Sequence, residues 1–454
     1  MEQETSYKRI FRQILDDYRV DRDLRMHDVE PRPILRNGEF SILSGKASVI
    51  TGVRRAGKST LLTQMAESWK NLPSKRSKSI KREYLAIDFT DERLIELKVT
   101  DLQALLDVVE DIRLSDDGGF SEVLLILDEI QEVRDWELFV TRVLKKPGFY
   151  VSISGSSAKM LSKEIATQLR GRTLNYELFP FSFLEYMTLS HQSMKSQSTP
   201  SQAALRKKCL EFLEWGGFPE VALVREKRIK KNILRGYLDT LLLRDVIERN
   251  AFSQVHLVHV VQNSLFSQYA SLLSVNRLMQ KLKSMGIKFD KNILPEIISA
   301  FEDAYSIFLV PIYSESFKKR QINPKKLYLV DQGWASLQGL GMAHNKGRLL
   351  ENFVFLELRR REFQIFYGKT PGGNEIDFIF HREGSECPDL LQVCWDLDPH
   401  ETFARETEAL REAMALYKVK HSKIVTFDNS REVRFPEGIV QIQTIFDFVN
   451  DLNP

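Results

Sequence analysis

Eight residues, Gly52-Val53-Arg54-Arg55-Ala56-Gly57-Lys58-Ser59, constrain this chain more than any other stretch. They satisfy G-x-x-x-x-G-K-[ST] at every fixed position. Before them, Ala47-Ser48-Val49-Ile50-Thr51 is a short apolar, β-prone run, as a buried strand requires. After them, Thr60 to Ala66 holds helix formers and no breaker, which predicts a helix from about Lys58. A glycine loop between strand and helix aims backbone N–H groups at an anion, and the helix N-terminus adds partial positive charge. Gly52 and Gly57 allow backbone conformations that a side chain would forbid. The loop from Gly52 through Val53, Arg54, Arg55, Ala56 and Gly57 to Lys58, Ser59 and Thr60 is therefore expected to cradle a polyphosphate. Lys58 would reach the β- and γ-phosphates, and Ser59 would hold Mg2+.

A second landmark follows about seventy residues after Lys58. Val123-Leu124-Leu125-Ile126-Leu127 is a buried-strand run that ends in Asp128-Glu129. Two carboxylates at this point suit two roles: Asp128 behind Mg2+, and Glu129 orienting or deprotonating a water. Phe149 to Ser157 reads as another strand ending in small polar residues. Ser154 and Ser156 are both candidates to contact a γ-phosphate or its water, against the plainer role of capping a helix. Arg170 and Arg172 are candidate arginine fingers, on their own nucleotide or a neighbour's, because guanidinium forks well onto phosphate oxygens. A surface ion pair is the alternative for both.

At 454 residues the chain is too long for one core, so two to four domains are expected. Lysine and arginine number 65 against 62 acidic residues, a net charge of +3, which excludes a nucleic-acid coat but not a local basic patch. Three cysteines cannot build a disulfide framework or a four-cysteine zinc site, and a reducing cytoplasm is expected. The N-terminus is acidic and polar, unlike a signal peptide, and no apolar run is long enough to span a bilayer.

Residues 1–45 predict a helical lead-in, with Tyr7, Ile10, Phe11, Ile14, Leu15 and Tyr18 on one face and Pro31 and Pro33 ending it. The basic run from Pro73 to Arg82 could touch nucleic acid or an acidic partner, but reads rather as a solvated loop, since nothing aromatic is interleaved. Residues 46–190 form the expected phosphate-loop domain, His191 to Gln202 an exposed linker, and 203–250 a helical lid whose last helix spans Gly236 to Asn250. Residues 251–340 suggest a winged helix: helices at about 255–267, 275–285 and 292–305, then two strands around the basic hairpin Lys318-Lys319-Arg320. The third helix is more acidic than basic and has no arginine to read guanine edges, which favours a structural or protein-binding role over DNA reading. His256 and His259 share a helix face without a carboxylate to complete a metal motif.

Residues 345–454 follow the order helix, three strands, helix, strand, which is that of the restriction-endonuclease-like core. Glu351 matches the helix glutamate of that core and Asp377 the strand aspartate, both of which hold Mg2+ when such a site is active. The third position reads Gln392-Val393-Cys394, where that core carries Glu-x-Lys. Glutamine offers only a neutral carbonyl and cysteine no positive charge, and Asp396, two residues on, does not restore the lysine. Nuclease activity is not the favoured expectation.

With these motifs in order, the chain resembles the prokaryotic ATP-binding proteins that carry an AAA-type ATPase domain, a winged helix and a C-terminal domain of unknown function related to restriction endonucleases. The matching residues are the phosphate loop (Walker A), Leu127-Asp128-Glu129-Ile130-Gln131 (Walker B), Ser154-Gly155-Ser156-Ser157, Gly171-Arg172, Gly216-Gly217-Phe218-Pro219-Glu220, Arg244-Asp245-Val246, Gly347 to Asn352, and Glu375-Ile376-Asp377-Phe378. The resemblance implies an α/β fold, ATP rather than another nucleotide, and ATP hydrolysis with Mg2+. The expected protein is a cytoplasmic AAA-like, signal-transducing ATPase whose nucleotide state controls a nuclease-like, degenerate recognition module. An unidentified protein is the expected partner; DNA and self-assembly into an oligomer stay open, and no membrane is expected. The alternatives are an ATP-regulated metal-dependent DNA nuclease, and a low-turnover nucleotide switch or DNA-binding scaffold.

Overall fold

Residues 47–51 are buried along their whole length, so both faces of this strand need apolar cover, and its sequence is a run rather than an alternation. It is one of three inner strands in a parallel sheet made of β1 (Ala47–Thr51), β2 (Arg82–Asp88), β3 (Glu122–Asp128), β4 (Phe149–Gly155) and β5 (Thr173–Glu177). The spatial order is β2-β3-β4-β1-β5. The computed structural model describes residues 2–25, 32, 40–71, 81–114, 120–157, 169, 171–189, 199–337, 341–382, 384–385 and 387–452. The chain divides into two units, Met1–Leu178 and Phe179–Pro454.

In the first unit the helix Lys58–Asn71 follows the glycine loop and buries Leu61, Leu62, Met65 and Ala66. The helix Leu102–Arg113 buries Leu102, Leu105, Leu106 and Val109 in a second core cluster. The lead-in helix Glu2–Arg25 lays Phe11, Ile14 and Leu15 into that same cluster, and Lys8 pairs with Asp107 at 2.7 Å. The lead-in is therefore a packing element, as its apolar face predicts. Pro31, Pro33 and residues 73–80 of the basic run lie outside the described residues.

The second unit begins with helices Phe183–Leu189, Thr199–Trp215, Pro219–Leu223 and Lys227–Thr240. Two expectations shift here. The linker predicted up to Gln202 is already helical at Thr199. The helix predicted from Gly236 starts at Lys227, because Gly236 faces open space and is tolerated inside it. From Leu241 to Glu248 the chain winds as a π-helix, which apolar spacing does not reveal.

Helix Val255–Ser267, β6 (Ser271–Leu273), helices Val275–Ser284 and Ile293–Asp303, β7 (Ile307–Val310) and β8 (Lys325–Leu329) follow, with an antiparallel sheet ordered β6-β8-β7. Strand β6 was not predicted. The basic hairpin is instead the short helix Phe317–Ile322, because Ser316 caps it by accepting from the Lys319 N–H.

The chain ends in a mixed sheet packed by helices Gly341–Arg359 and His400–Tyr417. Its strands are β9 (Ile365–Lys369), β10 (Glu375–Phe380), β11 (Asp389–Val393), β12 (His421–Thr426), β13 (Arg431–Phe435) and β14 (Gly438–Thr444), ordered β13-β14-β12-β11-β10-β9. Strand β13 and the closing helix Ile445–Asp451 are additions to the predicted elements. Phe183, Phe212 and Phe353 come from three different helices, and the ring centroid of Phe183 lies 5.5 Å from that of Phe212 and 6.1 Å from that of Phe353.

Candidate functional site

Strand β4 lies between β1 and β3, so the carboxyl ends of all three strands meet at one edge. This is where open parallel sheets bind ligands. The glycine loop leaves β1 there. A Cβ on Gly52 would stand 2.0 Å from the Leu178 carbonyl oxygen, and Gly57 has φ +94°, so both glycines are required by the backbone. Lys58 is buried, and its Nζ donates to the carbonyls of Gly52 at 3.0 Å and Val53 at 3.2 Å. The same Nζ stands 3.7 Å from Glu129 Oε1.

Asp128 ends β3, and the Ser154 hydroxyl on β4 donates to its Oδ1. The Ser154 Oγ also accepts the Glu129 N–H at 3.2 Å. Burial raises the Asp128 carboxyl, opposed by hydrogen bonds from Ser154 and Ser59. Glu129 sits in the left-handed region at φ +51°, a costly conformation for a non-glycine residue of the kind that clusters at functional sites. Burial alone would raise Glu129 too. Lys58, Gln131, Arg54 and Ser156 outweigh it and hold the carboxylate below its ordinary range. Gln131 donates to Glu129 Oε2, and the Ser156 N–H reaches the same oxygen at 3.2 Å. The two serines thus divide the carboxylates: Ser154 on Asp128, Ser156 on Glu129.

Val53 and Ala56 are buried in the loop, Arg54 and Thr60 are half-buried, and Arg55 and Ser59 are exposed. Arg55 has φ +69°. Arg172 is half-buried, and its backbone carbonyl accepts the Ala47 N–H at 2.8 Å, fastening the start of β1. Arg170 lies outside the described residues. The role of Gln131 escaped the sequence reading; its signal was its place two residues after Glu129.

The second unit carries a cleft of about 620 Å³ lined by Glu351, Glu375, Asp377, Gln392, Arg405 and Glu406, among others. It brings Glu351 and Asp377 together, but around a side chain the sequence reading missed. Lys326 of β8 points its Nζ at Glu351 Oε1 (2.8 Å), Glu375 Oε1 (2.8 Å) and Asp377 Oδ1 (2.7 Å). Burial would lower this ammonium, but Asp377 and Glu351 together hold it well above its ordinary value. The Tyr328 hydroxyl, two residues along the same strand face, donates to Glu351 Oε1 at 2.7 Å. Burial pushes the Glu351 carboxyl up, against the pull of Lys326. The available signal was the alternation in Lys325-Lys326-Leu327-Tyr328-Leu329, which sets Lys326 and Tyr328 on one face.

Gln392 does not stand free as a ligand. Its amide grips the backbone of β10, Oε1 accepting from the Asp377 N–H at 2.6 Å and Nε2 donating to the Glu375 carbonyl at 3.0 Å. The β9–β10 pairing shifts register between Ile376 and Ile379, so the amide bonds the β10 backbone beside that irregularity. Burial pushes the Cys394 thiol up to about 11, so it stays neutral. Asp396 is exposed, with Oδ1 accepting from the Asp398 N–H at 2.9 Å. Among the described residues no group of three or more His, Cys, Asp or Glu is arranged to hold a metal ion, and no helix is long and apolar enough to cross a membrane.

Residues 44–187 match the family model of the AAA domain, and residues 206–343 match a domain of unknown function, DUF8612. The chain is 37% identical over 403 residues to the uncharacterized protein MJ1544 of Methanocaldococcus jannaschii, covering 87% of this chain and 85% of that protein. It is 28% identical over 357 residues to an uncharacterized protein of Haemophilus influenzae, covering 78% of this chain and 84% of that one. Among solved structures, the ORC2 protein of Aeropyrum pernix, in ADPNP–ADP complexes, aligns with a TM-score of 0.39 at 12% identity, covering 72% of this chain and 92% of that one. With a phosphate loop at the edge of a parallel sheet and this extent of identity, the chain belongs to the family of AAA-domain, phosphate-loop proteins that includes MJ1544.

Proposed function

We propose that this protein is a Mg2+-dependent ATPase of the AAA signal-transducing kind, whose nucleotide state governs a C-terminal nuclease-like recognition module that does not cut. The observation that carries the reading is the convergence of Lys58, Asp128 and Glu129 at one sheet edge, with Ser154 bonded to both carboxylate-bearing residues. Ser59 and Asp128 offer the hard oxygen donors that Mg2+ prefers, and the hydrogen bond between them supports a shared role. When bound, the ion would neutralise charge on the β- and γ-phosphates. Lys58 would hold the same phosphates. Glu129, kept ionised by Lys58 and Arg54, is suited to orienting a water and accepting its proton late, since a depressed carboxylate is a weak base. Ser154 positions Asp128. Arg172 and Arg170 remain candidates to meet phosphate on the same or a neighbouring chain.

In this reading residues 203–250 act as a lid and 251–340 as a winged helix, supported by its three helices and antiparallel β6-β8-β7 sheet. Its third helix carries Glu296, Glu302 and Asp303 and no arginine, which favours a protein partner over DNA. The order of β9 to β12 about helices Gly341–Arg359 and His400–Tyr417 supports the restriction-endonuclease-like reading of 345–454. The engagement of Gln392 with the β10 backbone argues against cutting.

The test is phosphate release from ATP with Mg2+, with and without double-stranded DNA, beside Glu129→Gln. Turnover lost in the variant is expected. Stimulation by DNA would redirect the partner assignment from protein to DNA. No release in any condition, with ATP still bound, would overturn the ATPase reading in favour of a nucleotide switch.

A further inference from the structure

The C-terminal domain, read as nuclease-like above, implies a divalent cation between Glu351 and Asp377, and the residues present do not fit one. Asp377 has both oxygens engaged: Oδ1 with Lys326 at 2.7 Å, and Oδ2 with the Val393 N–H at 2.9 Å. Glu351 Oε1 takes both the Lys326 ammonium and the Tyr328 hydroxyl. The Gln392 carbonyl is spent on the β10 backbone. A lysine ammonium whose side chain is 3% exposed, with three carboxylate oxygens within 2.8 Å, is a complete cation site. Each oxygen has its charge-assisted donor, so the buried Glu351 and the half-buried Asp377 and Glu375 need no metal to offset their mutual repulsion.

We propose that Lys326 is the resident cation of this cluster, an internal ammonium in the place a divalent metal would take, and that it keeps the domain metal-free. The lysine comes from β8, in the sheet that precedes the domain, so the same contact that fills the site also fastens that strand. Two neighbours of Glu351 reinforce the fastening. Asn352 Oδ1 accepts the Leu329 N–H at 2.8 Å, and its Nδ2 donates to the Leu329 carbonyl at 3.1 Å. Arg348 donates to the carbonyls of Ser267 and Tyr269. The stretch Gly347 to Asn352, expected to begin a nuclease site, thus works as a docking strip for the elements before it.

The experiment is Mn2+ binding to the full chain without nucleotide, read by electron paramagnetic resonance. Asp128→Asn is present in every variant, so that the phosphate-loop unit adds no ion. We expect no Mn2+ in the parent that Asp377→Asn removes. Lys326→Ala should gain one ion per chain, lost again when Asp377→Asn is added. A parent chain that already holds an Asp377-dependent ion would overturn the proposal, as would a folded Lys326→Ala chain that gains none. If Lys326→Ala does not fold, the comparison of parent with Asp377→Asn decides alone. The titration counts the ion directly and needs no cutting, so a failure of the nuclease-like reading would leave its outcome intact.

Discussion

Asp331 Oδ2 accepts the Gly217 N–H at 2.7 Å across 114 residues of chain, and its Oδ1 accepts the Gly333 N–H at 2.8 Å. The carboxyl is buried and leaves no room beside it: a Cβ on Gly216 would stand 1.7 Å from Oδ1, and Gly216 has φ +77°. The turn Trp215-Gly216-Gly217-Phe218 is thereby tied to the end of β8. Its glycines answer to packing, and the site needs nothing else to explain them.

Burial pushes Asp331 up to about 7, against those two N–H bonds. An unfolded aspartate titrates near about 3.9. The folded state therefore holds the proton more tightly, so this group's contribution is complete below the unfolded value and is lost as pH rises through about 7. The urea midpoint of the second unit should fall between about pH 5 and about pH 7, with a shallower fall in Asp331→Asn. A midpoint that rises over that window would contradict the assignment.

Ser154→Ala removes the hydroxyl that donates to Asp128 and accepts from the Glu129 N–H. A hydrogen bond to a charged group is worth roughly 1.5–3 kcal/mol, so turnover should fall by about ten- to a hundredfold. Steady-state phosphate release measures it. Unchanged turnover would assign Ser154 to the sheet rather than to the chemistry.

Gly52→Ala would place a methyl 2.0 Å from the Leu178 carbonyl, a backbone atom that cannot swing aside. Overpacking of this kind costs about 1–3 kcal/mol or more. Thermal unfolding of the full chain should show a lower midpoint for the unit Met1–Leu178. A variant as stable as the parent would mean that the junction after β5 yields.

Asn352→Ala would leave the Leu329 N–H and carbonyl buried without partners. Each orphaned group costs about 1–3 kcal/mol, so a loss of about 2–6 kcal/mol is expected in urea denaturation. Asn352→Asp keeps the acceptor and loses the donor, and should fall between the two. Equal stability in all three chains would remove Asn352 from the docking strip.

The nucleotide half of the site was legible in the sequence because its parts are local. Gly52 to Ser59 is one loop, and Asp128 and Glu129 sit at the end of one apolar strand, so spacing alone places these groups. Ser154 was legible as a candidate but not as a partner of Asp128, since that needs β4 between β1 and β3. The π winding of Leu241–Glu248 and the strand Arg431–Phe435, whose residues are mostly exposed, left little apolar pattern to find.

What the sequence by itself determined is the phosphate loop, the carboxylate pair and the alternating order of helices and strands, because short-range backbone geometry and apolar periodicity dictate them. What only the tertiary structure decided is the state of the second carboxylate cluster. The sequence shows Glu351, Asp377 and a missing lysine at Cys394. The fold supplies a lysine from 51 residues before Asp377, on a strand whose alternation turns Lys326 inward. Electrostatics decides the outcome: carboxylates gathered around one buried point repel one another unless a cation stands among them, and the chain delivers its own.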